Sequence, residues 1–449
     1  MTGPTPTRAL RRTGAAVAAV AALALASACT GSTSGGANDD PNAETTITFW
    51  HGWSAPSEIK AIQGNIDAFE KAHPNIHVKA VSNITDDKIN QALRAGGPNA
   101  PDVVSSFTTD NVGEFCGSRA FVDLSSFMKK SGIDAASTFP APQLAYTQFE
   151  GNQCTLPLLS DAYGLYYNKK SFADAGISAP PRTMSELKAD ALKLTKTKGD
   201  GYAQLGFMPN YHGYESVVSH FAAMWSPTYF NDDGTSNVAK DPGLKAMYLW
   251  QKDLVDSLGG YQRLERYRNT FGDEFGSKNP FMTGQVAMAI DGEWRGGMID
   301  DSDSDVDYGV APFPVPDDQA AQYGKGYISG TVIGIASTSK KQNAAWELVR
   351  YLTTDTKAVV DFANVIHNVP STQDSLASSD VDQNPAFQEF IKIAQNQDSN
   401  TTPSSPNGGA YQLTLQNVGY DYESGKNTDL QGALDKAAEQ IDADIAQSQ

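Results

Sequence analysis

The first apolar run of the chain, from Ala15 to Ala26, carries no charge and is too short to serve as a stable membrane span. Arg8, Arg11 and Arg12 precede it and small residues close it, the order of a signal peptide over 1–28. Residues 29–45 show no apolar period, and their Thr, Ser, Gly, Asn and Asp read as a flexible tether. Regular patterning begins at Thr46. Thr46-Ile47-Thr48-Phe49-Trp50 predicts a short strand, and Ile59, Ile62, Ile66 and Phe69 recur at helical spacing until His73-Pro74-Asn75 stops them. Ile76 to Val81 predicts a second strand, Asp87 to Ala95 a helix, and Asp102-Val103-Val104 a buried strand. Strands that alternate with helices imply an α/β fold with a mostly parallel sheet covered on both faces. At the far end, Leu430, Leu434, Ala438, Ile441 and Ile445 share one face of a helix, a stripe that packs on a core.

Length divides this α/β body. Removal of 1–28 would leave 421 of 449 residues, more than one core usually serves, so two lobes are expected. The same cut removes three arginines and no acid, taking the formal charge from −18 to −21, which argues against nucleic acid and anionic lipid as partners. Leu25-Ala26-Ser27-Ala28-Cys29 resembles a lipobox, which would make Cys29 the lipid-bearing first residue of the mature chain. Cys116 and Cys154 then remain as an even pair in an oxidising compartment and are expected to form a disulfide. No metal is expected, because Pro74 breaks the helix that would align His73 with His77. No cofactor is expected either.

Five fragments stand in a telling order: Ile47-Thr48-Phe49-Trp50-His51; Pro101-Asp102-Val103-Val104; Leu165-Tyr166-Tyr167-Asn168-Lys169 with Phe172 and Gly176; Phe281-Met282-Thr283-Gly284 with Gly292-Glu293-Trp294; and Ala344-Ala345-Trp346-Glu347-Leu348. Together they resemble the extracellular solute-binding proteins of bacterial ABC importers, in the family that takes up maltose, other oligosaccharides and glycerol phosphates. The resemblance runs from about residue 46 to the C-terminus. It implies a two-lobed periplasmic-binding-protein-like fold with a hinge and an interlobe cleft, one lobe of 46–158 plus 308–336 and the other of 160–306 plus 340–449. The chain would cross between lobes near Leu158–Tyr163, Asp307–Pro314 and Ile335–Ser339. It further implies a monomer that captures a sugar and hands it to the importer's membrane subunits, not an enzyme.

A sugar ring offers an apolar face to aromatics and a rim of hydroxyls to carboxylates and amides. Strand ends carry ligands in α/β sheets, which singles out Trp50, His51 and Trp53 after the first strand and Asp110 after the third. The resemblance places Asp161 on the first crossover, Trp294 as a stacking ring beyond Asp291, and Tyr411 as a second ring after Asn407-Gly408-Gly409-Ala410. Trp225, Ser329, Gly330 and Asn368 complete the candidates. Each has a plainer reading: Asp110 as a helix cap, Asp161 as a solvated hinge residue, the aromatics as core. Two rivals stay open. Asp110, Asp161, Asp291 and Glu293 would suit a glycosidase if two converged as acid and base, and a glycerol 3-phosphate or glycerophosphodiester ligand would need a cation in the cleft, for which Arg295 is the nearby candidate. Asp301, Asp303, Asp305 and Asp307 alternate as in a calcium loop, but Val306 replaces the required glycine, so they read as a solvated acidic loop.

Overall fold

The computed structural model describes residues 43–97, 100–207, 209, 215 and 217–448. The expected signal peptide, Cys29 and all but the end of the tether lie outside them. Strands β1 (Thr45–Trp50), β2 (Ile76–Val81) and β3 (Val103–Ser106) run parallel with β1 in the middle. Helix Pro56–Ala72 connects the first two and buries Ile62, Ile66 and Phe69, the expected stripe. Its start suits the sequence: Pro56 stands where a missing N–H costs nothing, and the Glu58 carboxylate accepts the Ala55 N–H at 3.0 Å. Helix Asp86–Ala95 is capped by Thr85 and ends at Gly96, whose φ of 60° favours glycine.

The remaining strands are β4 (Thr155–Asn168), β5 (Lys196–Lys198), β6 (Gly201–Gln204), β7 (Met288–Gly292), β8 (Tyr308–Ala311) and β9 (Tyr327–Ile335). The main sheet has the order β2-β1-β3-β9-β4-β7, β8 lies against β4, and β5 with β6 forms a separate hairpin. Every pairing of β4 and β9 with another strand is antiparallel. The sheet is therefore mixed rather than mostly parallel. The cause is connectivity: β4 carries the chain away from the first three strands and β9 brings it back alongside.

These two long strands cross side by side. Ser160 of β4 pairs with Gly330 of β9 on one edge and with Val369 on the other, its N–H donating to the Val369 carbonyl at 2.9 Å. Pro157, which has no N–H to give, marks the register shift just before this point. A side chain at 330 would be blocked, since a Cβ there would meet the Leu159 carbonyl oxygen at 2.3 Å and the Tyr146 hydroxyl at 2.7 Å.

Two apolar clusters pack against the sheet. Ile47, Phe49, Ile66 and Phe69 pack with Leu156, Ile333, Trp346, Leu352 and Phe362. Helices Gln342–Thr354 and Thr356–Ile366 thus join the first three strands, and β8 pairs instead with Leu165–Asn168 at the far end of β4. Phe362 of the second helix is packed edge-on against Trp53, just after β1, and the chain then runs past Ser160 at Val369. The larger cluster runs from Ile89, Val104 and Phe115 through Tyr166 and Met247 to Leu434. Cys116 and Cys154 are joined, with Cα atoms 5.5 Å apart, tying helix Val112–Gly117 to the start of β4. The last helix, Leu430–Ser448, buries Leu430, Leu434 and Ile441 as the stripe requires.

Candidate ligand-binding site

The alternation of β4 and β9 builds one face. Asp161 lies opposite Ser329 and Tyr163 opposite Tyr327, so side chains two apart on each strand project together. Asp161 and Ser329 are half-buried. Tyr163 is the centre of an aromatic group, with ring centroids 4.3 Å from His220, 5.3 Å from Tyr327 and 5.3 Å, edge-on, from Trp294. Trp294 begins helix Trp294–Asp300 directly after β7, and its indole folds back over Gly292, where a Cβ would lie 2.2 Å from the ring. The indole is half-buried and its Nε1 has no partner among the described residues.

Carboxylates and one amide gather beside this group. Asn368, on the third crossing segment, donates its side-chain N–H to Asp161 Oδ1 at 2.8 Å and to Glu293 Oε1 at 2.7 Å. Glu293 is buried, and its other oxygen accepts the Ala162 N–H at 2.8 Å. Burial pushes both carboxyls up, Asp161 to about 7 and Glu293 well above the carboxylate range, the latter raised further by Asp161. Asp161, Ser329, Gly330 and Asn368 thus meet where the three segments cross, and Glu293 links them to Trp294.

Asp110 reaches the same group from the first lobe. It lies in the turn Thr109–Asn111 after β3, a loop fixed by Asp86, whose carboxylate accepts from Ser106 Oγ at 2.8 Å and Thr108 Oγ1 at 2.6 Å. Asp110 caps no helix. Its Oδ1 accepts from Gln412 Nε2 at 2.7 Å, and burial raises its pKa. Gln412 belongs to helix Ala410–Glu423, preceded by Gly409, where a Cβ would lie 2.7 Å from the Asp110 carboxyl carbon. Thr402 bridges onward, 3.0 Å from the Tyr327 hydroxyl and 3.5 Å from Asp110.

The other candidates are placed differently. At the end of β1, Trp50 is half-buried with the Lys88 ammonium 5.8 Å over its ring. His51 is 1% exposed between Phe49 and Trp53, and burial lowers its pKa to about 4, so it stays neutral. Trp53 packs edge-on against Phe362 at 4.7 Å, a core position. Trp225 is buried between Phe221 and Trp250. Tyr411 is buried against Tyr229 and Phe230, its hydroxyl donating to the Pro403 carbonyl. Asp291 is buried and bound to Arg295 Nε at 2.6 Å. That contact also takes up the cation suggested for a phosphate, since Arg295 is itself 1% exposed. Tyr163, Tyr327 and His220 were not singled out by sequence. Strand parity would have found the first two, since they stand two residues from Asp161 and Ser329; nothing in the sequence marks His220.

Comparison with known proteins fits this geometry. The chain is 31% identical over 218 residues to a putative binding protein of Brucella abortus, a match covering 48% of this chain and 49% of that protein. The match therefore spans about half the length of this relative. A maltotriose-binding protein of Pyrococcus abyssi is 21% identical over 405 residues, 88% of this chain and 81% of the other. The solved structure of CpMnBP1 with mannotriose bound superposes with a TM-score of 0.74 at 23% identity, covering 88% of this chain and 99% of that one. The fold is thus the two-lobed one of periplasmic binding proteins. Residues 55–359 match the family model described as bacterial extracellular solute-binding protein, and the chain belongs to that family.

Proposed function

We propose that this protein captures a sugar between its lobes outside the cytoplasm and delivers it to an ABC importer, held to the membrane by a lipid on Cys29 and acting as a monomer. One observation carries the reading: a half-buried indole, edge-on to Tyr163, adjoins in the chain a glutamate that shares the Asn368 amide with the half-buried carboxylate of Asp161. That pair offers a stacking face and a hydroxyl acceptor, the two chemistries a sugar ring needs. The relatives that bind maltotriose and mannotriose support the same class of ligand. A phosphate ligand is disfavoured, because the guanidinium of Arg295 is buried against Asp291. Hydrolysis is disfavoured too, since Asp291 is ion-paired and Glu293 is buried and bonded to the backbone.

Ligand binding at two lobes would favour their closed arrangement, the form that importer subunits would recognise. A thermal-shift panel of maltose, maltotriose, mannobiose, mannotriose, glycerol 3-phosphate and glycerophosphocholine tests the reading. A sugar present at one hundred times its dissociation constant stabilises by about 2.7 kcal/mol. A response to glycerol 3-phosphate alone, or release of product from an aryl glycoside, would overturn it.

A further inference from the structure

Glu293 is buried too deeply to meet a ligand, yet it shares its amide donor with a residue that would. The Asn368 nitrogen lies 2.8 Å from Asp161 Oδ1 and 2.7 Å from Glu293 Oε1, so the two carboxyl oxygens are no more than about 5.5 Å apart. The three residues come from three segments: β4, the turn after β7, and the last crossing. No Lys or Arg pairs with Asp161 or Glu293 among the described residues, and the nearby guanidinium of Arg295 is held by Asp291. Two like charges this close in an apolar surround, without a cation, do not both persist.

We infer that Asp161 and Glu293 hold one proton between them, and that Glu293 and Asn368 are positioning residues: the proton resides on Glu293 when Asp161 meets a ligand hydroxyl as a carboxylate. The ligand half of this inference rests on the sugar-binding reading, whereas the shared proton does not. The groups around the pair supply no compensating charge. Tyr146, Tyr163, Tyr166 and Tyr327 face it as phenols that burial keeps neutral. His367, Asp300 and Asp382 line the small cavity beyond Glu293, the Glu215 and Asp291 carboxyls stand behind Tyr163 and Tyr166, His220 packs on Tyr163 and Tyr327 with its pKa lowered by burial, and Asp110 stands beyond Tyr327. Desolvation pushes both carboxyls in the same direction, upward.

The sign of the pH dependence follows. While the pair holds one proton, a ligand that prefers ionised Asp161 shifts that proton to Glu293 without releasing it; where both carboxyls are protonated, binding releases one proton and weakens as the pH falls, by up to tenfold per pH unit. Carboxyl carbon NMR titration of the full ligand-free chain tests the proton, and calorimetric titration with maltotriose and mannotriose between about pH 5.5 and 8.5 tests the coupling. In the parent protein one carboxyl of the pair should remain protonated at neutral pH. Glu293→Gln should move the Asp161 midpoint acidward by about one unit or more, and Asn368→Ala, which removes the shared N–H, should move it upward. Both carboxyls ionised at neutral pH, or an Asp161 midpoint unmoved by either variant, overturns the shared proton. If neither sugar binds, the sugar reading fails while the NMR arm still decides the proton. Sugar affinity that does not weaken as the pH falls through the lower midpoint of the pair, located by the NMR arm, overturns the role given to the Asp161 carboxylate.

Discussion

Trp294 and Asp161 bring different energies to one site. The indole is wedged between Tyr163 and the bare backbone of Gly292 at the margin of the larger apolar cluster, so replacing it removes a half-buried stacking surface and leaves the fully buried members of that cluster in place. Trp294→Ala is expected to weaken sugar binding by ~0.5–1.5 kcal/mol beyond the area lost, with the unliganded melting temperature nearly unchanged. Asp161→Asn preserves shape and the Ser329 pairing but removes the charge, and the contacts that need an ionised acceptor should weaken by ~1.5–3 kcal/mol. Calorimetric titration with the sugar found in the thermal-shift panel checks both. A Trp294→Ala protein that binds normally yet melts several degrees lower would make Trp294 a core residue. Sequence could rank these two because a family pattern surrounds them, but it could not separate Trp50 from Trp53. Both end the same strand, and only the presence of Phe362 from a helix some 300 positions away makes one of them core.

At the scale of elements, what was legible is what depends on local periodicity. The helix Pro56–Ala72, its stop before Pro74, the first three strands and the C-terminal stripe all follow from spacing and caps within a few residues. The pairing of β4 with β9 does not, since Ser160 and Gly330 are far apart in the chain and each reads only as part of an apolar strand. The same limit holds for the helices: an amphipathic stripe on Gln342–Thr354 says that a face is buried, not against which strands. Gly330 is where this long-range pairing is most demanding. A methyl group there would press on the Leu159 carbonyl and the Tyr146 hydroxyl, both held in the crossing. Gly330→Ala is therefore expected to cost ~1–3 kcal/mol in urea denaturation, whereas Gly132→Ala, with nothing within 4 Å of its Cβ but a φ of 71°, reports the backbone cost alone. Equal losses in the two variants would mean that the crossing adapts and that the steric argument fails.

Across the whole molecule, the two lobes meet not only at the crossing but along helix Val112–Gly117, which lies against the segment before helix Ala410–Glu423. Gly113 makes this contact possible: a Cβ there would stand 2.1 Å from the Ser405 carbonyl oxygen and 2.8 Å from the Ser405 nitrogen, so no side chain fits while the lobes are together. Three residues earlier on the same stretch, Asp110 takes its hydrogen bond from Gln412, and Gly409 lets the chain pass close by. Helix interiors accept valine at a modest cost, and the obstruction in Gly113→Val comes from the opposite lobe rather than from its own. The variant should therefore fold, keep the disulfide and melt within a few degrees of the parent in the absence of ligand. Its lobes, however, should be propped apart, separating Asp110 from Gln412 and opening the site that spans them. If closure supplies a large part of the binding energy, affinity for the sugar should fall at least tenfold, which corresponds to about 1.4 kcal/mol. Small-angle scattering should also show that adding sugar no longer compacts the variant as it does the parent. Retained affinity and compaction in Gly113→Val would mean that the contact at Ser405 is incidental to binding, and that the ligand is held by the crossing segments without the lobes having to meet.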